Sequence, residues 1–374
     1  MHKRKKIEKI IISNENKIKI NSNEINKGDI FLALKGNNCH GNDFINDCIK
    51  KGAIFCITDK KIRIAKNNDK IFFINNLSKF LIDLAKKKRK LFRGKVIGIT
   101  GSAGKTTLKE SLGFCLKLKF KVSYSYKSYN NFLGVIISIL NINLNSKFAI
   151  FELGTNNFGE IKQLVKYILP SQTIITNIQS THLENFINKK NIAKEKSSIF
   201  NPKYNPYAEL LILLRENKEE NFLFQIAKKN KLKKIITIGN YNENDCSIKN
   251  FKKHKNKYLF KIAINDKIFS FNSDTNIIHR INNLIFCLVI FQYNNLDTNI
   301  VIKNINKLKP VVGRGLIYNK KLNNINDTYS HQLKYINSEI KLWAEWKNNT
   351  ILPYNEYIIS SDTIKINPKI RPKI

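Results

Sequence analysis

The sequence has 374 residues, 42% of them hydrophobic and 10% aromatic, enough apolar material to build cores, so wholesale disorder is excluded. At about 150 residues per domain the length points to two or three domains. The net charge of +38 comes from 66 Lys and Arg against 28 Asp and Glu, but only 8 of those cations are Arg and the Lys residues are dispersed; a dedicated nucleic-acid binder would concentrate charge and favour Arg, so no specific nucleic-acid partner is expected and the Lys excess reads as AT-rich codon drift.

The N-terminal MHKRKKIEKIIIS is basic, with an apolar run of three residues, too short for a signal peptide. Residues 1–90 then read as a small α/β unit. IFLAL (30–34) follows a Lys-Gly-Asp turn, FINDCIKKGA (44–53) has helical spacing, and IFCIT (54–58) is strand-like. The run KKKRK (86–90) reads as the solvated last turn of a helix followed by a linker. From 95 onward the pattern is KVIGIT (95–100), a glycine-rich loop (101–107), the helical LKESLGFCLKL (108–118), and the strand-like KFAIFELG (147–154) and QTIITNI (172–178). Strands alternating with helices predict an α/β fold with a doubly wound parallel sheet. LLILL (210–214) and LIFCLVIF (284–291) suit a buried strand or helix, and neither approaches the length of a membrane span. A break falls near Pro310, and the Asn-rich remainder ends in KINPKIRPKI. The six cysteines contain no CxxC pair and no Cys/His cluster, so reduced thiols in a soluble, cytoplasmic protein are expected, without a disulfide framework or zinc site.

Thr100-Gly101-Ser102-Ala103-Gly104-Lys105-Thr106-Thr107 lies between a predicted strand and a predicted helix. Such a loop aims backbone N–H groups at phosphates beside a helix N-terminus. Lys105 would reach the terminal phosphates and the Thr106 hydroxyl would hold Mg2+. Ile99 stands where the strict phosphate-loop pattern wants glycine.

The loop ITGSAGKTT resembles the variant phosphate loop of the Mur ligases, ATP-dependent amide-forming enzymes of peptidoglycan synthesis. The likeness continues in SYNNFLGV (128–135), FELGTN (151–156) with GEI (159–161), TNI (176–178) with HLE (182–184), and IAKEKSSIF (192–200). In the N-terminal unit GDIFLALKG (28–36) and HGNDF (40–44) resemble the family's uridine-binding domain. The motif combination resembles most the member that adds D-alanyl-D-alanine to UDP-N-acetylmuramoyl-tripeptide; the member adding the third amino acid is the nearest rival, and a nucleotide-binding protein without ligation is the alternative from another class. The resemblance implies a uridine-substrate domain at 1–92, a central ATP-binding domain at 93–312 and a shortened Rossmann-like third domain at 313–374.

It also implies roles. Gly101, Ser102, Ala103, Gly104, Lys105, Thr106 and Thr107 would bind ATP. Glu152 would ligate Mg2+ with Thr106, and His182 would serve a second metal and the catalytic step. Lys196 would be the carbamylated lysine, converted from a cation into a metal-binding anion. Asn130, Asn131 and Ser22 would contact the nucleotide-peptide substrate. His279 and Asn283, four apart on a predicted helix, would lie near adenine, and Arg314 and Asp327 would reach phosphate and ribose from the third domain. Two departures stand out: Asn23 follows Ser22 where the family has arginine, and Thr328-Tyr329-Ser330-His331 replaces an asparagine-proline segment. A monomer is expected.

Overall fold

In the computed structural model the described residues are 2–13, 17–36, 39–61, 69–181, 183–241, 243–254, 257–265, 267–274 and 278–308, with two short strands at 357–359 and 364–366. Residues 1–306 form one compact unit and 307–374 a second.

Helix α1 (His2–Ser13) opens the chain and buries Ile7 and Ile11, four apart and so on one face. A small parallel sheet follows, with strands β1 (Ile18–Lys19), β2 (Ile30–Ala33), β3 (Phe55–Thr58) and β4 (Ile71–Phe73) in sequential order and helix α2 (Ile45–Lys50) between β2 and β3. Its centre is apolar on both faces, since every residue of β2 and β3 is buried, as crossover connections require of parallel strands.

Helix α3 (Leu77–Leu91) corrects the reading of KKKRK as a solvated end and linker. Its buried stripe is Leu77, Phe80, Leu81, Leu84, Ala85 and Lys88, and the 3–4 spacing carries Lys88 into the stripe. The Lys88 ammonium donates to the carbonyls of Ile11 at 2.9 Å and Leu140 at 2.5 Å. Arg89 donates to Ile168 O and Leu169 O at 2.5 and 2.9 Å. These two cations pin α3 to the rest of the unit.

The large sheet begins with β5 (Lys95–Thr100), then α4 (Lys105–Lys117), β6 (Val122–Tyr124), α5 (Phe132–Leu140), β7 (Phe148–Glu152), α6 (Glu160–Ile168) and β8 (Gln172–Ile175). Next come α7 (Leu183–Phe186), α8 (Lys189–Lys196), β9 (Leu210–Leu214), α9 (Lys218–Lys229) and β10 (Lys234–Ile238). The segment after β10 forms β11 (Cys246–His254), β12 (Lys257–Ile264) and β13 (Lys267–Ser273), followed by α10 (Ile278–Tyr293) and α11 (Asn299–Lys303). Among the described residues the strand order is β13-β12-β11-β10-β9-β8-β5-β7-β6. All pairs from β6 to β11 are parallel, as expected from the sequence. The β11–β12–β13 meander is antiparallel, an extension the sequence reading did not identify.

Alternate strand residues divide the two faces. Ala149, Phe151, Leu211 and Leu213 pack with residues of α3, α5, α6, α8 and α9 in one core. Helix α10 is the fate of LIFCLVIF, and it lies against α4. Helices on both faces make this a doubly wound α/β fold. Of the second unit, the structure describes one antiparallel pair, β14 (Tyr357–Ile359) with β15 (Ile364–Ile366). All six cysteines are free thiols.

Candidate active site

Strand β5 lies between β7 and β8, while its own chain continues into α4. That is a topological switch point, where the loops leaving the carboxyl ends of neighbouring strands part and leave a crevice. Ile99 pairs with Glu152 and Thr100 with Ile175 in register, so the glycine-rich loop, the end of β7 and the Thr176-Asn177 segment meet there.

The loop is tightly held. Asn177 accepts from Ser102 N through its backbone oxygen at 3.0 Å and from Ala103 N through Oδ1 at 2.9 Å. The Thr176 hydroxyl donates to Ala103 O at 2.6 Å, and Gln179 N donates to Ser102 Oγ at 2.9 Å. Gly104 caps α4 with φ +81 and a Cβ there would meet open space, so its cost is backbone strain alone. The N-terminus of the 13-residue α4 thus opens toward the crevice with Lys105 as its first residue. The Lys105 ammonium donates to Gly101 O at 2.8 Å and Ser102 O at 3.1 Å.

Glu152 is the last residue of β7 and is fully buried. Its Oε2 accepts from the Thr106 hydroxyl at 2.7 Å and its Oε1 from Asn130 Nδ2 at 2.8 Å. Asn130 can approach because residue 154 is glycine: a Cβ there would sit 2.8 Å from Asn130 Cγ. A buried carboxylate oriented by a hydroxyl and an amide, beside a phosphate-type loop, is an oxygen donor set that fits Mg2+. Among the described residues there is no group of three His, Cys, Asp or Glu that could hold a metal; Mg2+ characteristically uses one or two carboxylates and fills its shell with phosphate oxygens and water.

Lys196 ends α8 and is 3% exposed. Burial, and then the nearby Lys105 charge, pull its ammonium down to about 7, with Glu195 opposing. The adjacent Glu195 accepts from Gly159 N and Ile161 N, each at 2.8 Å, capping the start of α6. That contact ties the lysine segment to the GEI segment and fixes the end of α8.

Other expected positions divide. Asn131 caps α5, its Oδ1 accepting from Gly134 N at 2.9 Å, so its observed work is structural. Ser22 lies in a short 3-10 turn, where its carbonyl accepts from Lys51 Nζ at 2.9 Å. Thr107 is half-buried in the first turn of α4. Asn283 is buried within α10, which includes His279. His182, Arg314, Asp327 and the His279 side chain lie outside the described residues. The sequence reading took Thr176, Asn177 and Glu195 only as parts of the TNI and IAKEKSSIF segments and gave Lys109 no role; what each does follows from contacts made by the fold.

Known proteins match across these same segments. Residues 99–291 match the Mur ligase middle domain and residues 16–89 the Mur ligase family, catalytic domain. The chain is 34% identical over 306 residues to the UDP-N-acetylmuramoyl-tripeptide--D-alanyl-D-alanine ligase of Rickettsia prowazekii, covering 82% of this chain and 67% of that relative. It is 31% identical over 225 residues to the ligase of that name in Buchnera aphidicola subsp. Acyrthosiphon pisum, covering 58% and 49%. The crystal structure of MurF from Acinetobacter baumannii superposes with a TM-score of 0.67 at 23% identity, covering 87% of this chain and 70% of that one. MurF from Thermotoga maritima, solved in complex with ADP, gives a TM-score of 0.65 at 26% identity, covering 83% and 70%. The chain therefore spans about two thirds of the Rickettsia relative and about half of the Buchnera one.

Proposed function

This chain belongs to the Mur ligase family, and on that premise we propose that it joins D-alanyl-D-alanine to UDP-N-acetylmuramoyl-tripeptide in an ATP-dependent amide ligation. The observation that carries the reading is the Thr106–Glu152–Asn130 constellation beside a phosphate loop and a buried Lys196.

An amide forms from a carboxylate only after activation, here by transfer of a phosphoryl group to give an acyl phosphate that the incoming amine attacks. Both steps bring anions together, so the residues must place positive charge and hold the reactants in line. Backbone N–H groups at the start of α4 and the Lys105 ammonium would bind the phosphates of ATP. The Thr106 hydroxyl and Glu152 would hold Mg2+, and Asn130 would orient the carboxylate. Bound there, Mg2+ supplies charge neutralisation between nucleotide and acyl oxygens. Lys196, with its ammonium lowered to about 7, would offer the neutral amine that must attack CO2 to form a carbamate, and the lost proton leaves to solvent. The carbamate then presents a carboxylate-like anion. His182 would stand on the acyl-phosphate side as a metal ligand, Ser22 and Asn131 would touch the nucleotide-peptide, and His279, Asn283, Arg314 and Asp327 would complete the ATP site. The same reading assigns 1–92 to the uridine substrate, 93–312 to ATP and 313–374 to the third domain. It places the protein in the cytoplasm as a monomer with no specific nucleic-acid partner; among the described residues no helix is long and apolar enough to cross a membrane.

The deciding experiment measures ATP-dependent phosphate release with UDP-N-acetylmuramoyl-tripeptide, with and without D-alanyl-D-alanine. Saturable stimulation by the dipeptide, with the pentapeptide product detected by mass, supports the ligase. Phosphate release that ignores both substrates contradicts it.

A further inference from the structure

Loop 125–130 joins β6 to α5 and carries Asn130 to Glu152 without any regular structure of its own. Its ends are tied to β7 and the residues just after it by Ser125 N donating to Ile150 O at 3.1 Å and Gly154 N donating to Asn130 O at 2.9 Å, and Lys109 ties its middle to α4. This residue lies three positions after Thr106 on α4, on the same helix face. It is fully buried. Its ammonium donates to Ser125 O at 2.7 Å and to Lys127 O, and lies 3.0 Å from Glu110 Oε1. A buried ammonium is expensive unless strong acceptors surround it, and here two of the three are main-chain carbonyls of one short loop.

The loop is also joined to the site at its other contacts. Ser125 Oγ accepts from Glu152 N at 3.4 Å, and the Ser128 and Thr106 hydroxyls are 3.4 Å apart. Lys127 takes a left-handed φ of +45, a turn that an ordinary lysine adopts only under constraint. The contacts form a closed circuit: α4 holds the loop through Lys109, the loop holds Glu152 through Asn130, and Glu152 returns to α4 through Thr106.

We propose that Lys109 is a positioning residue that fastens loop 125–130 to the phosphate-loop helix and so sets the placement of Asn130 and Glu152 for a divalent cation. This rests on the assignment of Thr106 and Glu152 to Mg2+. An apolar residue of the same length fills the volume but leaves two carbonyls without their donor, which loosens the middle of the loop from α4. Lys105 still reaches its own loop, so nucleotide binding without metal is preserved.

The test is calorimetric binding of ADP to the full chain, in excess Mg2+ and in EDTA, for wild type, Lys109→Met, Asn130→Ala and the double variant. In the wild type Mg2+ tightens ADP binding. In Lys109→Met the affinity in EDTA stays within about twofold while the Mg2+-dependent gain falls by about tenfold, and adding Asn130→Ala costs less than about twofold more because both act through one loop. A folded Lys109→Met protein with the wild-type Mg2+ gain overturns the inference, as do losses that multiply independently in the double variant. If Lys109→Met does not fold, Lys109→Gln carries the same expectation, and failure of both to fold assigns the lysine to the core alone and ends the proposal. A wild type that binds no ADP in either condition instead removes the nucleotide reading on which the inference stands.

Discussion

The carboxyl edge of β5, β7 and β8 and the β11–β13 meander are both rich in lysine, yet they use it in opposite ways. In the meander Lys252, Lys253, Lys257, Lys261 and Lys267 are exposed, and the strands are held by their ladders and by a stack of Phe251, Phe260 and Phe271 with centroids 5.7 and 5.8 Å apart. At the carboxyl edge Lys109 and Lys196 are buried and Lys105 is half-buried. Lysine count therefore says little about function in this chain. What sets these lysines apart is removal from water: Lys105 and Lys109 donate to main-chain carbonyls, and Lys196 lies between the charges of Lys105 and Glu195.

The contrast breaks most sharply at Lys105. Lys105→Ala should weaken MgATP binding by at least about a hundredfold, since it removes the cation at the head of the loop, a charge that acts in a partly desolvated crevice. Equilibrium binding checks this, and near-wild-type affinity means that another residue binds the phosphates. Next comes Lys196. Lys196→Ala should lower ligase turnover by about a hundredfold or more, with partial recovery in bicarbonate or high chloride, an anion taking the place of the proposed carbamate. Its pH dependence has a definite sign. The neutral amine is needed to capture CO2, and with the ammonium lowered to about 7 the neutral fraction rises through neutrality. Protein stripped of CO2 should regain activity with bicarbonate at pH 8 and regain little at pH 6. Equal recovery at both would separate Lys196 from the activity.

A smaller effect concerns stability. Burial pulls the Lys88 ammonium down to about 8 from 10.5. The unfolded chain then binds the extra proton between those values, so this group costs stability below pH 8 and the cost disappears as pH rises toward 10.5. The stability of wild type relative to Lys88→Met should thus grow by about 3 kcal/mol from pH 7 to 10.5, read from urea melts at each pH. A flat difference would mean that Lys88 keeps its proton. The smallest effect belongs to the meander: Lys252→Gln, Lys253→Gln and Lys261→Gln should each stay within about 0.5 kcal/mol of wild-type stability and leave turnover unchanged. A large loss from any of them would give the meander a role that its exposure does not suggest.

Much of this edge was legible in the sequence because its signals are local. The strand–loop–helix order around 101–107 and Glu152 at a strand end follow from runs of residues, while the apolar run at 284–291 left strand and helix open and the fold makes it a helix. The meander was missed because β11 mixes lysine, asparagine and histidine with few apolar residues, giving no clean alternation. Lys88 and Lys109 were hidden for a different reason. Their main-chain acceptors are carbonyls 52 to 77 residues away for Lys88 and 16 to 18 away for Lys109, so the local sequence hardly separates them from the solvated lysines around them. Lys88 left one trace, its place in the 3–4 stripe of α3, which a charge run easily masks. Asn131 carries a contact that its neighbour Asn130 masks in the sequence: it caps the turn into α5.

The proposal that Lys196, buried beside Lys105 with its ammonium lowered to about 7, is the lysine that captures CO2 is tested most directly by 13C NMR of the protein equilibrated with 13C-bicarbonate at pH 8. The account predicts a carbamate resonance that correlates with a lysine side chain, strengthens with MgADP and is missing in Lys196→Ala. No carbamate in the wild type, or one that survives Lys196→Ala, would contradict it.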